Sequence, residues 1–407
     1  MPVLTVTDLP ESRVAGSRVL VRVDFNVPMD REGRITNDVR MVQALPTLTY
    51  LLERGGSLVV TSHLGRPKGG PDPAFSLGPV AEHLAGLLDF PVRFSPELVG
   101  DSAQEAVEGL GGGELLLLEN TRFHPGETKN DPELSAALAA YGDVYVNDAF
   151  GSAHRAHSST KGVAERILEK GGEAVAGFLM EKELRYLGMA LEAPERPFVA
   201  ILGGAKISGK IDVIRSLLPR VDRLLVGGAM ANTFFKALGL ETGGSLVEED
   251  RVELARSILE EGGDRILLPV DCVVASEIGD DAQTREVARD SVESGDRIGD
   301  IGKGSQDLFA DVLKGARTVL WNGPMGVFEL SPFAGGTLAV ARSVAMVTEK
   351  GGVTIVGGGD SAAAAEAAGV TDRLSHVSTG GGASLEFLSG SVLPGVAALQ
   401  VREGGAS

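Results

Sequence analysis

Val353-Thr354-Ile355-Val356-Gly357-Gly358-Gly359-Asp360-Ser361, followed by the alanine- and glutamate-rich run Ala362 to Ala368, is the stretch on which the reading of this chain turns. Four β-branched residues read as a buried strand, and the run after them reads as a helix. Between the two lie three glycines, a carboxylate and a hydroxyl. A strand that passes through glycines into a helix aims bare N–H groups at whatever sits there, and the helix dipole favours negative charge. Asp360 would repel a phosphate directly but is well placed to hold a magnesium ion that phosphates share. The same residues would also make an ordinary left-handed turn closed by a capping Asp. Repetition of the device along the chain favours a ligand loop.

With 407 residues the chain is too long for one ordinary core, and two domains are expected. Its 55 glycines fall in short clusters after apolar runs, so they read as turns and ligand loops and not as low complexity. A formal charge of −18 argues against nucleic acid or an acidic membrane as a partner, while leaving room for a small anion if cations gather locally. The single cysteine, Cys272, permits no internal disulfide and suits a reducing cytoplasm, where a buried inert thiol is expected. The N-terminal stretch has no apolar signal region, and no run of about 18 apolar residues occurs, so a cytoplasmic location is expected.

In the first half, apolar runs recur at the spacing of strand–helix units: Val19 to Val23, Ser57 to Val60, Pro91 to Phe94, Leu115 to Leu118 and Val144 to Val146. Helical patterns such as Arg40 to Leu52 and Leu77 to Leu88 lie between, which argues for a parallel α/β sheet. Ligands bind beyond the carboxyl ends of such strands. The residues there are Asp24-Phe25-Asn26, His63-Leu64-Gly65-Arg66, Glu119-Asn120-Thr121-Arg122, Asn147-Asp148 and His154-Arg155-Ala156-His157, with Asn37-Asp38-Val39-Arg40 opening the next helix after the first. Singly, each charge reads as a solvated surface group. Together, four arginines and two or three histidines on one edge make a pocket for a small polyanion. His154 and His157 invite a zinc reading, which the lack of thiolates and of a third ligand disfavours.

Glu173 to Glu192, with Met180, Leu184, Leu187 and Leu191 at helical spacing, reads as one amphipathic connecting helix stopped by Pro194 and Pro197. This divides the chain into 1–172, the connecting helix 173–192 and 193–390, with a tail, 391–407, expected to return to the first part. In the second half, strands Phe198 to Leu202, Arg223 to Val226, Arg265 to Leu268, Thr318 to Trp321, Val353 to Val356 and His376 to Ser378 end in glycine where the first half ended in arginine. Those ends read Gly203-Gly204-Ala205-Lys206, Gly227-Gly228, Asn322-Gly323-Pro324, Gly357 to Gly359 and Gly380-Gly381-Gly382. With Lys206 and Lys210 they make a cradle for a polyphosphate. Gly204 to Lys210 fits G-x-x-x-x-G-K, but Ile211 stands where a true P-loop needs Ser or Thr for magnesium. Gly357-x-Gly359-x-x-Ala362 alone is too weak to argue a dinucleotide enzyme, and hydride transfer has no use for the cation-lined half. No nucleophile–base arrangement suggests itself, which fits phosphoryl transfer, where positioning and charge stabilisation do most of the work.

Eight stretches, in order, resemble the phosphoglycerate kinase family over nearly the whole chain. They are Arg22 to Pro28, His63 to Pro67, Glu119 to Phe123, Asp148 to Gly151 with His154-Arg155, Gly203 to Lys206, Trp321 to Glu329, Gly357 to Ser361 and Ser378 to Ser384. The resemblance implies an α/β fold of two Rossmann-like lobes, each a parallel sheet flanked by helices, joined by a helix and hinge. It implies a monomer that transfers a phosphoryl group between 1,3-bisphosphoglycerate and Mg-ADP, giving 3-phosphoglycerate and ATP, in a closing cleft. By carry-over, Asp24, Phe25, Asn26, Arg40, His63, Leu64, Gly65, Arg66, Arg122 and Arg155 bind the glycerate substrate. Lys206, Lys210, Gly302, Glu329, Gly358, Gly359, Asp360 and Ser361 bind the nucleotide, with Asp360 on Mg2+. Arg40, Lys206 and the N–H groups of Gly380, Gly381 and Gly382 serve the transferring group. After Asp300-Ile301-Gly302 the family usually has Pro-Lys-Thr where this chain has Lys303-Gly304-Ser305, which puts Gly302 as a contact in question.

Overall fold

Strands buried on both faces need uninterrupted apolar runs, and the chain supplies them in two series. The computed structural model describes residues 3–68 and 70–401. Strands β1 (Arg18–Arg22), β2 (Ser57–Thr61), β3 (Val92–Phe94), β4 (Leu115–Leu117), β5 (Val144–Asn147) and β6 (Glu173–Ala176) make a parallel sheet in the order β3-β4-β2-β1-β5-β6. The chain continues through β7 (Phe198–Leu202), β8 (Arg223–Val226) and β9 (Ile266–Leu267). Next come β10 (Asp271–Ala275), β11 (Arg285–Ala288) and β12 (Arg297–Ile301), then β13 (Thr318–Asn322), β14 (Val353–Gly357) and β15 (His376–Val377). The second parallel sheet runs β15-β14-β13-β7-β8-β9, the doubly wound order in which successive strands are laid outward first to one side and then to the other.

Two compact units result: residues up to Arg185 together with those from Val392 on, and Tyr186–Ser391. In the first, Val19, Val21, Leu58, Val60, Leu115 and Leu117 pack with Leu48 and Leu51 of the helix Val39–Glu53 and with Val80 and Leu84 of the helix Gly78–Leu87. In the second, Val199, Ile201, Val319, Trp321 and Val356 meet Phe309 and Leu313 of the helix Lys303–Leu313 and Val340 and Val344 of the helix Gly335–Glu349. Burying one such side chain is worth about 1.5–3 kcal/mol. That is why Pro46 is tolerated inside Val39–Glu53 despite a helix-interior cost of about 3 kcal/mol. It sits on the exposed side, four residues after the exposed Val42, so the carbonyl left without a partner faces water.

Two expectations need correction. The helix expected over 173–192 begins only at Phe178, and Glu173–Ala176 is strand β6, paired in parallel with β5. Ala174, Val175 and Ala176 are fully buried there, since the edge of β5 offers partners to backbone groups that a helix start would leave unmatched. Gly171-Gly172 before the strand and Gly177 after it are the breaks that mark it. The two units divide within the helix Phe178–Glu192, between Arg185 and Tyr186. The second correction is the antiparallel sheet β11-β10-β12, absent from the sequence reading. It holds Cys272 buried, with burial pushing the thiol up to about 12, so the expected inert thiol is what the structure contains.

Segments distant in sequence close the first unit. Leu4 N–H donates to Gln400 O (2.8 Å), Gln400 N–H to Ala174 O (2.9 Å) and Gly395 N–H to Ala153 O (2.8 Å), with Leu393 buried. The last part of the tail, residues 402–407, lies outside the described residues. Among the described residues no helix is long and apolar enough to cross a membrane.

The helix Phe178–Glu192 is capped from outside itself. Asp148 Oδ1 accepts Leu179 N–H (2.8 Å) and Met180 N–H (3.1 Å), and Thr47 Oγ1 accepts Phe178 N–H (2.9 Å). Burial pushes the Asp148 carboxyl up, from 3.8 to about 6, against hydrogen bonds from Thr47, Met180 and Leu179 that hold it down. A carboxyl raised on folding binds its proton more tightly folded than unfolded, so its contribution is most favourable at low pH and is lost as pH rises through that window. The shift corresponds to about 3 kcal/mol. Asp148→Asn keeps the acceptor oxygen and cannot titrate. The stability of the native sequence relative to this variant should therefore fall between about pH 4 and pH 7 in denaturant melts. A difference that stays flat with pH would show that Asp148 does not carry this titration.

Candidate active site

At the carboxyl ends of β1, β2 and β4 the chain leaves the first sheet with charged residues in a row. Arg40 Nη1 lies 2.8 Å from Asp24 Oδ2, and His63 Nδ1 lies 4.0 Å from Asp24 Oδ1. The loop His63 to Arg66 is pinned by two amides. Asn26 Oδ1 accepts Gly65 N–H (2.8 Å), while buried Asn120 donates to Leu64 O (2.8 Å) and accepts Leu64 N–H (3.2 Å) and Arg122 N–H (3.0 Å). The Arg122 guanidinium donates in turn to Gly65 O. Phe25 and Leu64 are buried, so they support this loop through packing.

The electrostatics are those of an anion site. Burial pushes the Asp24 carboxyl up, but His63, Arg40, Arg22 and the Asn26 N–H outweigh it and leave the group below the usual carboxylate range. Burial brings His63 down to about 3; Asp24 resists, while Arg22, Arg122 and Arg40 add to the fall. His63 is therefore neutral near pH 7. Arg122 is lowered by burial and by its neighbours Arg22 and Arg66, and it stays charged because a guanidinium starts so high. Arg155 is exposed on the loop ahead of Ser158 and lies near enough to lower His157, together with Arg22 and Arg122. Four expected arginines and His63 thus share one neighbourhood with Asp24 and Asn26. Arg22, Glu127 and Ser159 belong to it as well.

The second unit puts its glycines where β7 and β13 depart to opposite sides of the sheet. A cavity of about 360 Å3 opens there, lined by Gly204, Gly228, Phe235, Leu246, Pro324, Glu329 and Asp360 among others. Half-buried Lys210 donates to Asn322 O (2.8 Å) and to Asn322 Oδ1; burial pushes its ammonium down to about 8 while Asp360 pulls it back. Asn322 Nδ2 donates to Gly357 O (2.8 Å), and Ser361 Oγ accepts Gly323 N–H (2.6 Å), so the hydroxyl of Ser361 shapes the loop from within. Glu329 and Asp360 are exposed, with Asp360 in the first turn of the helix Gly359–Ala367, which Gly358 precedes. Burial pushes the Glu248 carboxyl up, but the hydrogen bonds from Ser208 and Ile207 lower it, and exposed Lys206 is close enough to help them. Gly380 N–H donates to Ser378 Oγ (3.1 Å), and Gly381 turns the chain into the helix Gly382–Leu388.

Gly302 is placed by a neighbour. A Cβ there would stand 2.5 Å from the Asp271 carboxyl carbon, and Asp271 caps the helix Lys303–Leu313 by accepting Gly304 N–H and Ser305 N–H, each at 2.7 Å. The wall of the cavity includes Asp300 and Ile301 but not Gly302. The altered Lys303-Gly304-Ser305 still makes a capped helix start, with the Ser305 hydroxyl donating to Asp271. Asp300, not foreseen, is buried in that wall and pushed up to about 7 by burial, against N–H bonds from Gly336 and Ile301.

The profile of the phosphoglycerate kinase family matches residues 7–391. The chain belongs to the phosphoglycerate kinase family. It is 56% identical to the phosphoglycerate kinase of Chloroflexus aurantiacus over 394 residues, 96% of this chain and 97% of that one. To that of Chlorobium phaeovibrioides it is 54% identical, over 96% and 98%. The solved phosphoglycerate kinase of Coxiella burnetii superposes with a TM-score of 0.87 at 40% identity, and that of Pyrococcus horikoshii with 0.84 at 34%, each covering 98% of both chains. The two-sheet α/β fold and the kinase class follow, and the family implies ATP or ADP as co-substrate.

The glycine loops of this kinase meet backbone to backbone. A Cβ on Gly228, whose φ is 67°, would lie 2.5 Å from Gly204 N, 2.6 Å from Gly204 O and 2.8 Å from Pro324 O. None of those atoms can swing aside. Strain of about 1–3 kcal/mol at the dihedral alone should lower the melting temperature of Gly228→Ala by about 5 °C or more. Calorimetry should show ADP binding weakened at least about tenfold, because displacing the loops by a fraction of an ångström spoils a set of aimed N–H groups. Native melting together with native affinity would mean that the loops do not meet in this way.

Proposed function

We propose that this kinase moves a phosphoryl group reversibly between 1,3-bisphosphoglycerate and ADP, producing 3-phosphoglycerate and ATP, a step of glycolysis that also runs in reverse. The observation that carries the reading is chemical segregation: arginines around a neutral histidine at one set of strand ends, and glycines, lysines and the exposed carboxylates of Glu329 and Asp360 at the other. In the first unit Arg66, Arg122, Arg155 and His63 hold the phosphate and carboxylate of the glycerate, and Asp24 and Asn26 hold its hydroxyl. Arg40 spends one donor direction on Asp24 and keeps the rest of its fork for the transferring group.

In the second unit the cavity receives the nucleotide, Glu329 holds the ribose, and Gly358 with Gly359 lets the phosphates approach the backbone. Lys206 and Lys210 supply charge. Lys210, brought down to about 8 by burial, regains full charge beside a polyphosphate. Among the described residues no three His, Cys, Asp or Glu side chains gather as a metal cluster. A single carboxylate, Asp360, fits magnesium, which usually keeps several waters and takes phosphate oxygens beside one or two carboxylates. When bound, the ion neutralises phosphate charge.

The reaction needs no protein nucleophile. In the ATP-forming direction a β-phosphate oxygen of ADP attacks the acyl phosphorus, the bond from phosphorus to the carboxyl oxygen breaks, and 3-phosphoglycerate leaves as a carboxylate. The charge that develops on the moving group is met by Arg40, Lys206 and the N–H groups of Gly381 and Gly382, whereas the expected Gly380 N–H is already given to Ser378 Oγ. It acts as a monomer, as the family resemblance implies, in a cytoplasm whose reducing poise suits the single buried thiol.

The test is a coupled assay with 3-phosphoglycerate, Mg-ATP, glyceraldehyde-phosphate dehydrogenase and NADH. NADH loss should require the protein, 3-phosphoglycerate, ATP and magnesium together. Arg40→Ala should lower kcat about 10²–10³-fold, with ADP affinity within about twofold of native because Arg40 belongs to the other unit's ligand set. Full turnover in Arg40→Ala would remove that residue from the mechanism, and no NADH loss with ATP bound would reopen what the arginine pocket holds.

A further inference from the structure

Arg22 ends the hydrophobic strand β1, which half-buried Arg18 opens, and it is 1% exposed. A guanidinium in that position needs partners for its whole fork. Its Nε donates to Ser159 Oγ (2.8 Å), Nη1 donates to Val23 O, and Nη2 lies 3.2 Å from His63 Nδ1. Ser159 passes the contact on: its hydroxyl donates to Glu127 Oε1 (2.6 Å) and its N–H to Glu127 Oε2 (3.0 Å). Glu127 is fully buried, and Tyr145 Oη donates to Ser159 O (2.9 Å), holding the π-helical turn Ser158–Gly162 that presents the serine. A cation and an anion are therefore buried together, bridged by one hydroxyl. Such a pair is a poor source of stability against apolar residues of equal volume, so its use lies in what it orients.

Donor and acceptor roles at His63 are not free. An arginine can only donate, so the nitrogen facing it must accept. We propose that Arg22 is a positioning residue that fixes His63 as the neutral Nε2–H tautomer, presenting an N–H donor to an anionic oxygen of the substrate. This rests on the proposed reading of the arginine pocket as the 3-phosphoglycerate site. Four charged groups act on the ring: Asp24 at 4.0 Å attracts a proton to it, while Arg22, Arg40 and Arg122 repel one. Removal of Arg22 takes away both the tautomer lock and part of the repulsion, and leaves Asp24 pulling a proton onto Nδ1. His63 would then be a mixture of protonation states across the working range, pointing its donor at Asp24 in part of the population.

The experiment is nitrogen-15 NMR of the full chain labelled at its six histidines, with the His63 signals assigned by their loss in His63→Gln. In the native protein His63 should show an unprotonated Nδ1 and a protonated Nε2, unchanged down to about pH 5. Arg22→Met should abolish that pattern and bring a protonation step into the range of about pH 5–7. In steady-state assays its KM for 3-phosphoglycerate should rise about tenfold or more, while KM for ATP stays within about twofold. Because Arg22→Met alone leaves Glu127 without its bridge to a cation and can fail to fold, the double variant Arg22→Met with Glu127→Gln, which removes both charges, is measured beside it. A native His63 carrying its proton on Nδ1 overturns the proposal. So does a folded variant that keeps the native spectrum, or one whose altered spectrum comes with an unchanged KM for 3-phosphoglycerate. Absence of turnover in the native protein overturns the functional reading instead, and the spectrum then decides the Arg22–His63 contact by itself.

Discussion

A parallel sheet wound outward in two directions must separate its loops where the directions part. At that place the strands' carboxyl ends face an opening that no crossover helix covers. In the second sheet the parting lies between β7 and β13, and the residues there are Gly203-Gly204 and Asn322-Gly323-Pro324. In the first sheet it lies between β1 and β5, and Arg22, Asp24, Asn147 and Asp148 follow. The glycine-lined cavity thus lies where strand order opens the second sheet, while the arginines of the first unit gather at the ends of β1, β2 and β4, next to the parting of the first. The side chains decide only what the opening accepts: backbone N–H groups where the loops are glycine, guanidinium forks where they are arginine.

Net charge works against this chain as a binder of anions, and locality is the remedy. The field of 18 surplus negative charges is spread over solvent and screened within about 8–10 Å. The cations of the first unit run from buried Arg22 through half-buried Arg40 and Arg122 to exposed Arg66 and Arg155, and the buried ones are screened least. Burial first, and then their mutual repulsion, lowers Arg122 and His63. An entering anion relieves repulsion that the fold has already accepted, which makes a preorganised site.

Much of this was legible in the sequence because strands buried on both faces cannot disguise themselves: runs such as Leu115 to Leu118 and Phe198 to Leu202 admit few other readings. The residues at strand ends were legible for the same reason, since their places follow from the strands. What escaped reading has physical causes. β11 is short and largely exposed, so no alternation marks it, and β6 is made of Glu, Ala and Val, which suit a helix nearly as well until an edge strand needs a partner. Arg22 was quoted as part of a motif but not as part of a site, because a charge inside an apolar run reads as an irregularity until its partners Ser159 and Glu127, more than a hundred residues away, are known. Asn120 and Asn322 stand at strand ends with no role readable from the sequence, because an amide that organises a loop leaves no pattern in one dimension.

The hydrogen bonds that tie Leu4 and Ala174 to Gln400 have a bearing on biosynthesis. The second unit is an insertion in the first, entering at Tyr186 and leaving at Ser391. A ribosome emits residues in order, so the strands of the first sheet are all made long before Gln400 arrives to bond its β6 edge at Ala174, while the whole of the inserted unit is made in between. The half that is synthesised first is therefore the last to be closed. During translation the nascent chain carries a finished second unit while the edge of the first still waits for its cover.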